Sequence, residues 1–187
     1  MLNVVQSFVY LYNVILFVVA TVQCRPYRYR PRELTRLDPG QSGQQVRGLA
    51  STHDKLYVAR YWPSDRLAVY SSAGYKQLDD LHIDDLVSTK DLAADNDVLY
   101  IAANIVWRIV ADSEQKTAEK WIQLENVWTL SVTPVGQLVT VNGLSVSLYN
   151  RAGVLESRVN LPKARYPYHA ALTASGSFVA SHGDITT

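Results

Sequence analysis

The stretch GLASTHDKLYVARYWPSDRLAVY, from Gly48 to Tyr70, decides the fold. It holds a short apolar run around Leu49 and two further runs, Leu56 to Ala59 and Leu67 to Tyr70, that are rich in β-branched and aromatic residues. The polar residues Thr52 to Lys55 between the first two runs have the composition of a tight turn. The stretch therefore predicts an antiparallel hairpin followed by a third strand.

The same pattern recurs along the chain at a period of about 40 residues. Its anchor is a leucine flanked by small or polar residues, and successive anchors are 43, 38 and 42 residues apart. In three copies a more polar fourth run follows the apolar runs. A unit of four antiparallel strands at this period is typical of a β-propeller blade. The anchors are Leu49, Leu92, Leu130 and Leu172, and the fourth runs are Tyr75 to Ile83, Lys120 to Leu124 and Val154 to Leu161.

Other repeat architectures fit these residues less well. Helical repeats of this period need apolar residues three and four apart over ten or more positions, whereas these runs are short and β-branched. Leucine-rich repeats have a shorter period and an asparagine ladder that this sequence lacks. The sequence therefore predicts an all-β chain that forms an incomplete β-propeller of four-stranded antiparallel blades, preceded by an apolar, helical N-terminal segment.

The copies assign the propeller to residues 46–187, with blades at about 46–83, 84–124, 125–161 and an incomplete blade at 162–187. Three complete blades and half of a fourth are too few to close a ring, which takes about four to eight. We therefore expect an open, curved stack, either a truncated gene product or a chain that closes only by association. The half blade is expected to leave an edge that favours self-association.

The first copy resembles an NHL-type repeat. Its Gly48-Leu49-Ala50, Tyr57-Val58-Ala59 and Arg66-Leu67-Ala68-Val69-Tyr70 are similar to the three strands of that family, and Ala73-Gly74 matches its closing turn. The third copy is similar from Leu138 to Gly153, whereas the second lacks the Arg-Ile order and has a longer polar connection. The resemblance covers about 140 residues and implies a six-bladed propeller, a family in which some members bind RNA through a basic face.

The N-terminal segment has a different composition from the repeats. Phe8 to Val22 is nearly continuous apolar sequence, and five arginines follow it before Leu37. Residues 1–24 fit a secretory signal peptide, with small residues for cleavage near Ala20 or Cys24. They also fit a membrane anchor of about 20 residues that keeps the propeller in the cytoplasm. A third interpretation is an incorrect gene model. The first two predict a membrane-associated or secreted protein of undetermined orientation.

Residues 25–45 form a basic linker rich in proline and arginine. Its alternation of arginine with Tyr27 and Tyr29 suits acidic headgroups or nucleic acid, although we favour a solvated tether. From Val46 onward there are 13 basic and 15 acidic residues, a formal charge near −2. Nucleic acid is therefore an unfavoured partner, because phosphate contacts dominate that affinity. Cys24 is the only cysteine, which excludes an intrachain disulfide and makes it a lipidation candidate beside a membrane anchor.

Candidate binding residues lie where the loops lead into the innermost strand or join the second strand to the third. These loops carry aromatic side chains beside cations, a composition that favours recognition of a protein or peptide surface. Trp107 and Trp121 lie within strand runs, so we expect them in the core. The candidate binding residues are Arg47, Tyr61, Trp62, Lys90, Trp128, Tyr168 and His169.

A metal-dependent hydrolase of the lactonase or esterase type is the alternative function. It needs carboxylates from several blades that converge on one ion, and Asp91 is the only acidic residue among the positions that lead into the innermost strands. The chain has no Gly-x-Ser-x-Gly, phosphate loop or His-Glu-x-x-His motif. We therefore predict no catalytic residue, metal ligand or cofactor, and a non-catalytic protein-interaction module that is membrane-tethered or secreted. An RNA-binding NHL propeller is less favoured.

Overall fold

A computed structural model describes residues 45–60, 66–110, 117–161 and 165–184 of the 187-residue chain. All regular structure in these ranges is β-strand. The strands are β1 (Val46–Ser51), β2 (Lys55–Arg60), β3 (Arg66–Ser71), β4 (Leu81–His82), β5 (Asp91–Asp95), β6 (Val98–Ala102), β7 (Val106–Val110), β8 (Glu119–Ile122), β9 (Val127–Val132), β10 (Leu138–Asn142), β11 (Ser145–Tyr149), β12 (Leu155–Asn160), β13 (Arg165–Leu172) and β14 (Phe178–Asp184).

The strands form four antiparallel sheets in chain order. β1 to β4, β5 to β8 and β9 to β12 are four-stranded meanders, and β13 pairs with β14 in a two-stranded sheet. The first strands of the sheets, β1, β5, β9 and β13, lie side by side and form the inner edge of the stack. This arrangement confirms the predicted all-β fold of four-stranded antiparallel blades, and the last sheet of the described residues has two strands.

Each pair of neighbouring sheets encloses an apolar core. On β6, Leu99 and Ile101 pack toward the first sheet, whereas Tyr100 and Ala102 pack toward the third. Successive side chains of a strand point to opposite faces, so a sheet that is covered on both sides is apolar at every position. This explains why the inner runs of the sequence are apolar throughout, whereas β12, the outermost strand of the third sheet, is exposed along its length.

The outermost strand of the first sheet is shorter than the sequence predicts. The polar run from Tyr75 to Ile83 contributes only β4, Leu81–His82, and one isolated bridge between Gln77 and Tyr70. Tyr75 has a φ of 55°, in the left-handed region, directly after Gly74 at 86°. These two residues belong to the turn after β3. Backbone pairing with β3 resumes directly after them, from Ser71 to Lys76 and from Leu78 to Val69, but residues 78–80 form no strand.

In the fourth sheet, the strand pairing is shifted by two residues relative to the alignment of the repeats in the sequence. In the third sheet Leu130 pairs with Thr140, and the equivalent pair in the fourth is Ala170 with Ala180. The hairpin turns that follow have the same pattern of hydrogen bonds at the same offset of 40 residues. The alignment of Leu172 with Leu130 was therefore wrong, because Leu172 is equivalent to the residue two positions after Leu130 in β9. The position in the strand pairing is what repeats, and Ala170 occupies that position in the fourth sheet.

The N-terminal segment, the basic linker and the loop with Tyr61 and Trp62 lie outside the described residues. Within the described ranges, no helix is long and apolar enough to cross a membrane.

Candidate functional site at the inner rim

A β-bulge recurs where the innermost strands begin. In the first sheet Val46 and Gly48 pair with successive residues of β2, which leaves Arg47 as the extra residue. In the same way Trp128 is extra in the third sheet and Tyr168 in the fourth. A bulge turns its extra side chain out of the regular alternation and commonly adjoins a functional site. The sequence therefore presents one redirected side chain at the start of each of these strands.

In the second sheet Lys90 has the equivalent position. Its backbone N–H donates to the carbonyl of Ala102 at 2.8 Å, and Asp91 is paired with that same residue. Two successive residues therefore face one partner, as in a bulge. We call the four equivalent residues, one from each sheet, the rim residues: Arg47, Lys90, Trp128 and Tyr168.

Two of the rim residues are large aromatic side chains that are exposed. Trp128 is 52% exposed and Tyr168 is 66% exposed, although most of the aromatic residues in the described sheets are buried. They lie at equivalent positions on β9 and β13, which are in contact. Exposed aromatic side chains on adjacent strands mark an interaction surface more strongly than scattered apolar residues do.

Lys90 holds the indole of Trp128 in a defined place. The Lys90 ammonium lies 4.6 Å from the centroid of the Trp128 ring, within the range of a cation–π interaction. Partial burial lowers the pKa of Lys90. The contact joins the start of the second sheet to the start of the third, so the exposed indole is ordered before any partner arrives.

Asp91, next to Lys90, ties the second sheet to the third. Its Oδ1 accepts a hydrogen bond from the N–H of Leu92 at 2.9 Å, and its Oδ2 accepts one from the N–H of Leu130 on β9 at 2.9 Å. Burial raises the pKa of Asp91 to about 7, although both backbone hydrogen bonds act to lower it. The side chain therefore satisfies a backbone N–H at the inner edge of β9, which pairs with no further strand in its own sheet.

The neighbouring seams between sheets use different groups. Gly48, the counterpart of Asp91 in the first sheet, lies so close to β5 that a Cβ there would be 2.6 Å from the Leu92 nitrogen. Between the third and fourth sheets, Ser131 donates a hydrogen bond to the carbonyl of Ala170 at 2.7 Å. The inner strands are thus joined by close backbone contact and a carboxylate one residue below the rim, and by a hydroxyl two residues further along the strand.

The structure brings four of the seven predicted binding residues to equivalent positions. These are the rim residues, and their role in binding stays a prediction. His169 follows Tyr168 and occupies the level of Asp91, one residue below the rim, where burial lowers its pKa. Tyr61 and Trp62 lie outside the described residues. Trp107 is buried between the first two sheets and Trp121 packs on Tyr100, which confirms the core positions expected for them.

Sequence reasoning missed the bulges and the bridging role of Asp91. The aligned triplets Gly48-Leu49-Ala50 and Asp91-Leu92-Ala93 contained one usable signal, a carboxylate in an apolar inner run at the position of a glycine. Within the described ranges, no three His, Cys, Asp or Glu side chains are grouped to hold a metal ion.

Comparisons with known proteins support the fold. No protein-family model matches the chain. No curated protein matches it either. Among solved structures it is similar to the crystal structure of the WD40 β-propeller domain of Doa1, with a TM-score of 0.58 and 13% identity over 74% of this chain and 48% of that one. The chain spans about half the length of that structure. At this identity the likeness shows a propeller fold and does not extend to the NHL family.

Proposed function

We propose that the chain is a non-catalytic protein-interaction module whose rim residues bind a segment of a partner protein. The observation that carries the proposal is the exposure of Trp128 and Tyr168 at equivalent bulge positions of adjacent inner strands. Propellers host many unrelated functions, so the proposal depends on this surface rather than on the fold.

The rim has the chemistry of a binding anchor. Tryptophan and tyrosine are enriched among the residues that dominate binding energy, because each buries a large area with few rotatable bonds. Lys90 already orders the Trp128 indole, so less conformational entropy is lost when a partner covers it. Lys90 adds positive charge beside the Trp128 ring, and Arg47 carries another positive charge at the equivalent position of the first sheet. We therefore expect a partner segment with an apolar or aromatic side chain next to an acidic one.

A peptide-display selection on the full chain tests the proposal. Peptides selected from a random library are measured against the wild type, Trp128→Ala and Tyr168→Ala. Truncation of a central anchor costs about 2 kcal/mol or more, so we expect each variant to bind at least about 30-fold more weakly. Val135→Ala is the control, because Val135 is 67% exposed in the turn at the opposite end of β9.

The selection also contains the outcome that overturns the proposal. Selected peptides that bind Trp128→Ala and Tyr168→Ala as tightly as the wild type place the interaction surface elsewhere. Loss of binding in Val135→Ala, with binding retained in the two rim variants, places it at the other end of the sheets.

The non-catalytic part of the proposal rests on Asp91. Both of its carboxylate oxygens accept backbone hydrogen bonds, so the one acidic side chain at this level already holds two sheets together. Metal analysis of the purified chain after dialysis tests this part. A divalent ion retained at one equivalent per chain would favour the metal-dependent hydrolase instead.

We propose in addition that residues 1–24 direct the propeller to a membrane, as an anchor or as a signal peptide. The support is the apolar run from Phe8 to Val22 with the arginines that follow it. Translation with microsomes followed by protease treatment distinguishes the two orientations. Full digestion of the propeller in a membrane-bound chain indicates an anchor, protection indicates export, and a chain that stays unbound refutes both.

We also propose that the repeats belong to the NHL type. Arg66 to Tyr70 on β3 and the Ala73-Gly74 turn support this, since they fit the third strand and closing turn of that repeat. The type implies a ring of six blades, whether one chain or several form it. An experimental structure of the closed ring with a different number of blades would rule the assignment out.

A further inference from the structure

A pocket of about 290 Å³ opens at the end of the sheets opposite the rim. It lies between the turn that joins β5 to β6 and the turn that joins β11 to β12, so the second and third sheets both contribute to it. Its polar lining comes from Asp95, Asn96, Asp97, Tyr100, Arg108 and Arg151. Five of these belong to the second sheet and one to the third, and none is among the residues considered above for partner binding.

Tyr100 gives this pocket a donor. The residue is 3% exposed, and its ring packs 5.0 Å from the ring of Trp121 in the core between the two sheets. Its hydroxyl is not among the buried polar atoms of the described residues that lack a hydrogen-bond partner. Tyr100 lines the pocket, so a ligand there can accept a hydrogen bond from this hydroxyl.

The hydroxyl of Tyr100 stays protonated at neutral pH. Burial raises its pKa, and the carboxylate of Asp95 raises it further, while Arg108 and Arg151 act in the opposite direction. The group therefore offers a donor to an incoming oxygen atom.

The two arginines add further donors. Arg108 donates from Nε to Glu119, and its guanidinium lies 5.3 Å from the Trp121 ring. Arg151 donates from Nη2 to Asp95 at 3.1 Å and lies over Gly136, where a Cβ would collide with it. A guanidinium has five N–H groups, so each arginine retains donors after these bonds.

The acceptors of the pocket are largely occupied. Asp95 accepts from Asn96 at Oδ1 and from Arg151 at Oδ2, at 3.0 and 3.1 Å. Asp97 is the remaining carboxylate in the lining. The donors that are left are the remaining N–H groups of two guanidinium ions, each already paired with one carboxylate, and a phenol. Their geometry matches the two oxygens of a carboxylate. The charge of Asp97 disfavours a second negative charge on that ligand.

We propose that this pocket binds a carboxylate through the side chains of Tyr100, Arg108 and Arg151. Two donors come from the second sheet and one from the third, so the ligand also joins the two sheets at the end away from Asp91. The carboxylate belongs either to a small molecule or to the C-terminus of a partner chain. A doubly charged phosphate is a poorer ligand because Asp97 faces it.

NMR titration of the full chain with acetate, at constant ionic strength set with sodium chloride, tests the site. We expect saturable shifts of the Trp121 indole signal, and about tenfold weaker binding in Tyr100→Phe, which removes only the hydroxyl. Tyr149→Phe is the matched control, because Tyr149 is buried in the same core and does not line the pocket. Arg151→Gln is a second variant, because its side chain is 62% exposed and the substitution spares the core; we expect a loss of similar size.

Two further comparisons define the ligand. Asp97→Asn is expected to strengthen binding of inorganic phosphate more than binding of acetate. A pentapeptide with a free C-terminus that binds more tightly than acetate, and more tightly than its amidated form, indicates a protein ligand; equal binding of peptide and acetate indicates a small molecule. Acetate shifts that sodium chloride reproduces, or that are unchanged in both Tyr100→Phe and Arg151→Gln, overturn the proposal.

Discussion

The side chain of Asp91 links the second sheet to the third. Its carboxylate spans from β5 to the N–H of Leu130 on β9 and thereby satisfies a backbone group at the inner edge. Because burial raises the pKa of Asp91 to about 7, the charge on this bridge changes within the physiological range.

We predict that Asp91 makes the chain less stable as the pH rises from about 4 to about 7. In this window the folded state keeps the Asp91 proton, whereas the unfolded state, with the ordinary pKa of 3.8, releases it. The free energy of unfolding therefore decreases with rising pH. Asp91→Asn removes this dependence and costs about 1 kcal/mol at low pH, since one acceptor is lost.

Urea unfolding at several pH values measures the effect. The difference between the wild type and Asp91→Asn isolates this group from His169, whose lowered pKa gives the opposite slope. A difference that does not change between pH 4 and pH 8 would show that Asp91 titrates as an exposed carboxylate.

Gly48 supports a second prediction at the residue scale. A Cβ at this position would lie 2.6 Å from the Leu92 nitrogen and 2.8 Å from the Asp91 backbone, so the first two sheets must separate to admit it. We expect Gly48→Ala to destabilise the fold by about 2 to 3 kcal/mol. Gly143→Ala is the control, because a Cβ at Gly143 meets open space. We expect this variant to lose about 1 kcal/mol of stability, from the positive φ of the residue alone. Equal thermal shifts for the two variants would refute the close approach.

Individual residues were only partly predictable from the sequence. Trp107 and Trp121 were expected in the core because both lie within strand runs; Trp107 is buried, and Trp121 is partly buried against the core. The bridge formed by Asp91 was not predictable, since it depends on the distance between β5 and β9 rather than on any local pattern. For the same reason the sequence did not reveal the pocket around Tyr100, whose lining joins residues of two sheets.

At the scale of the strand, the bulges explain how a regular hairpin presents an exposed indole. Trp128 is an extra residue in β9, so its removal leaves the register from Thr129 onward unchanged. We expect deletion of Trp128 to cost about 1 to 2 kcal/mol and to abolish peptide binding at the rim.

Deletion of Leu130 is the matched comparison in the same strand. It shifts every residue before it to the opposite face, so we expect a loss of about 3 kcal/mol or more, or failure to fold. Circular dichroism and thermal unfolding of both deletions provide the measurement. A deletion of Trp128 as damaging as that of Leu130 would show that β9 has no tolerant bulge.

The strands themselves were the most predictable elements. Apolar runs and polar turns located the hairpin between the first and second strands of every sheet, because both signals are local. Two predictions were wrong. The polar run after Gly74 forms only one isolated bridge and the short strand β4. The fourth copy was misaligned because the position in the strand pairing is repeated, whereas the leucine is not.

At the scale of the whole molecule, the last sheet of the described residues has two strands. Within the described residues β14 pairs with β13 alone, and Val179 on β14 is 60% exposed. An unpaired edge with apolar side chains favours pairing with another chain. We predict that the full chain associates with itself at micromolar concentration, and that Val179→Lys reduces this association. Light scattering after size exclusion measures it; a monodisperse wild-type monomer would contradict the prediction.

The most direct test of the rim as a binding surface is the indole NMR spectrum of the full chain, labelled with ¹⁵N at its tryptophans. Trp128→Phe identifies the Trp128 signal among the four tryptophans. We expect a peptide selected on the chain to shift the Trp128 signal strongly and to leave the signals of the core residues Trp107 and Trp121 nearly unchanged. A peptide that binds without moving the Trp128 signal would show that the rim is not the interaction surface.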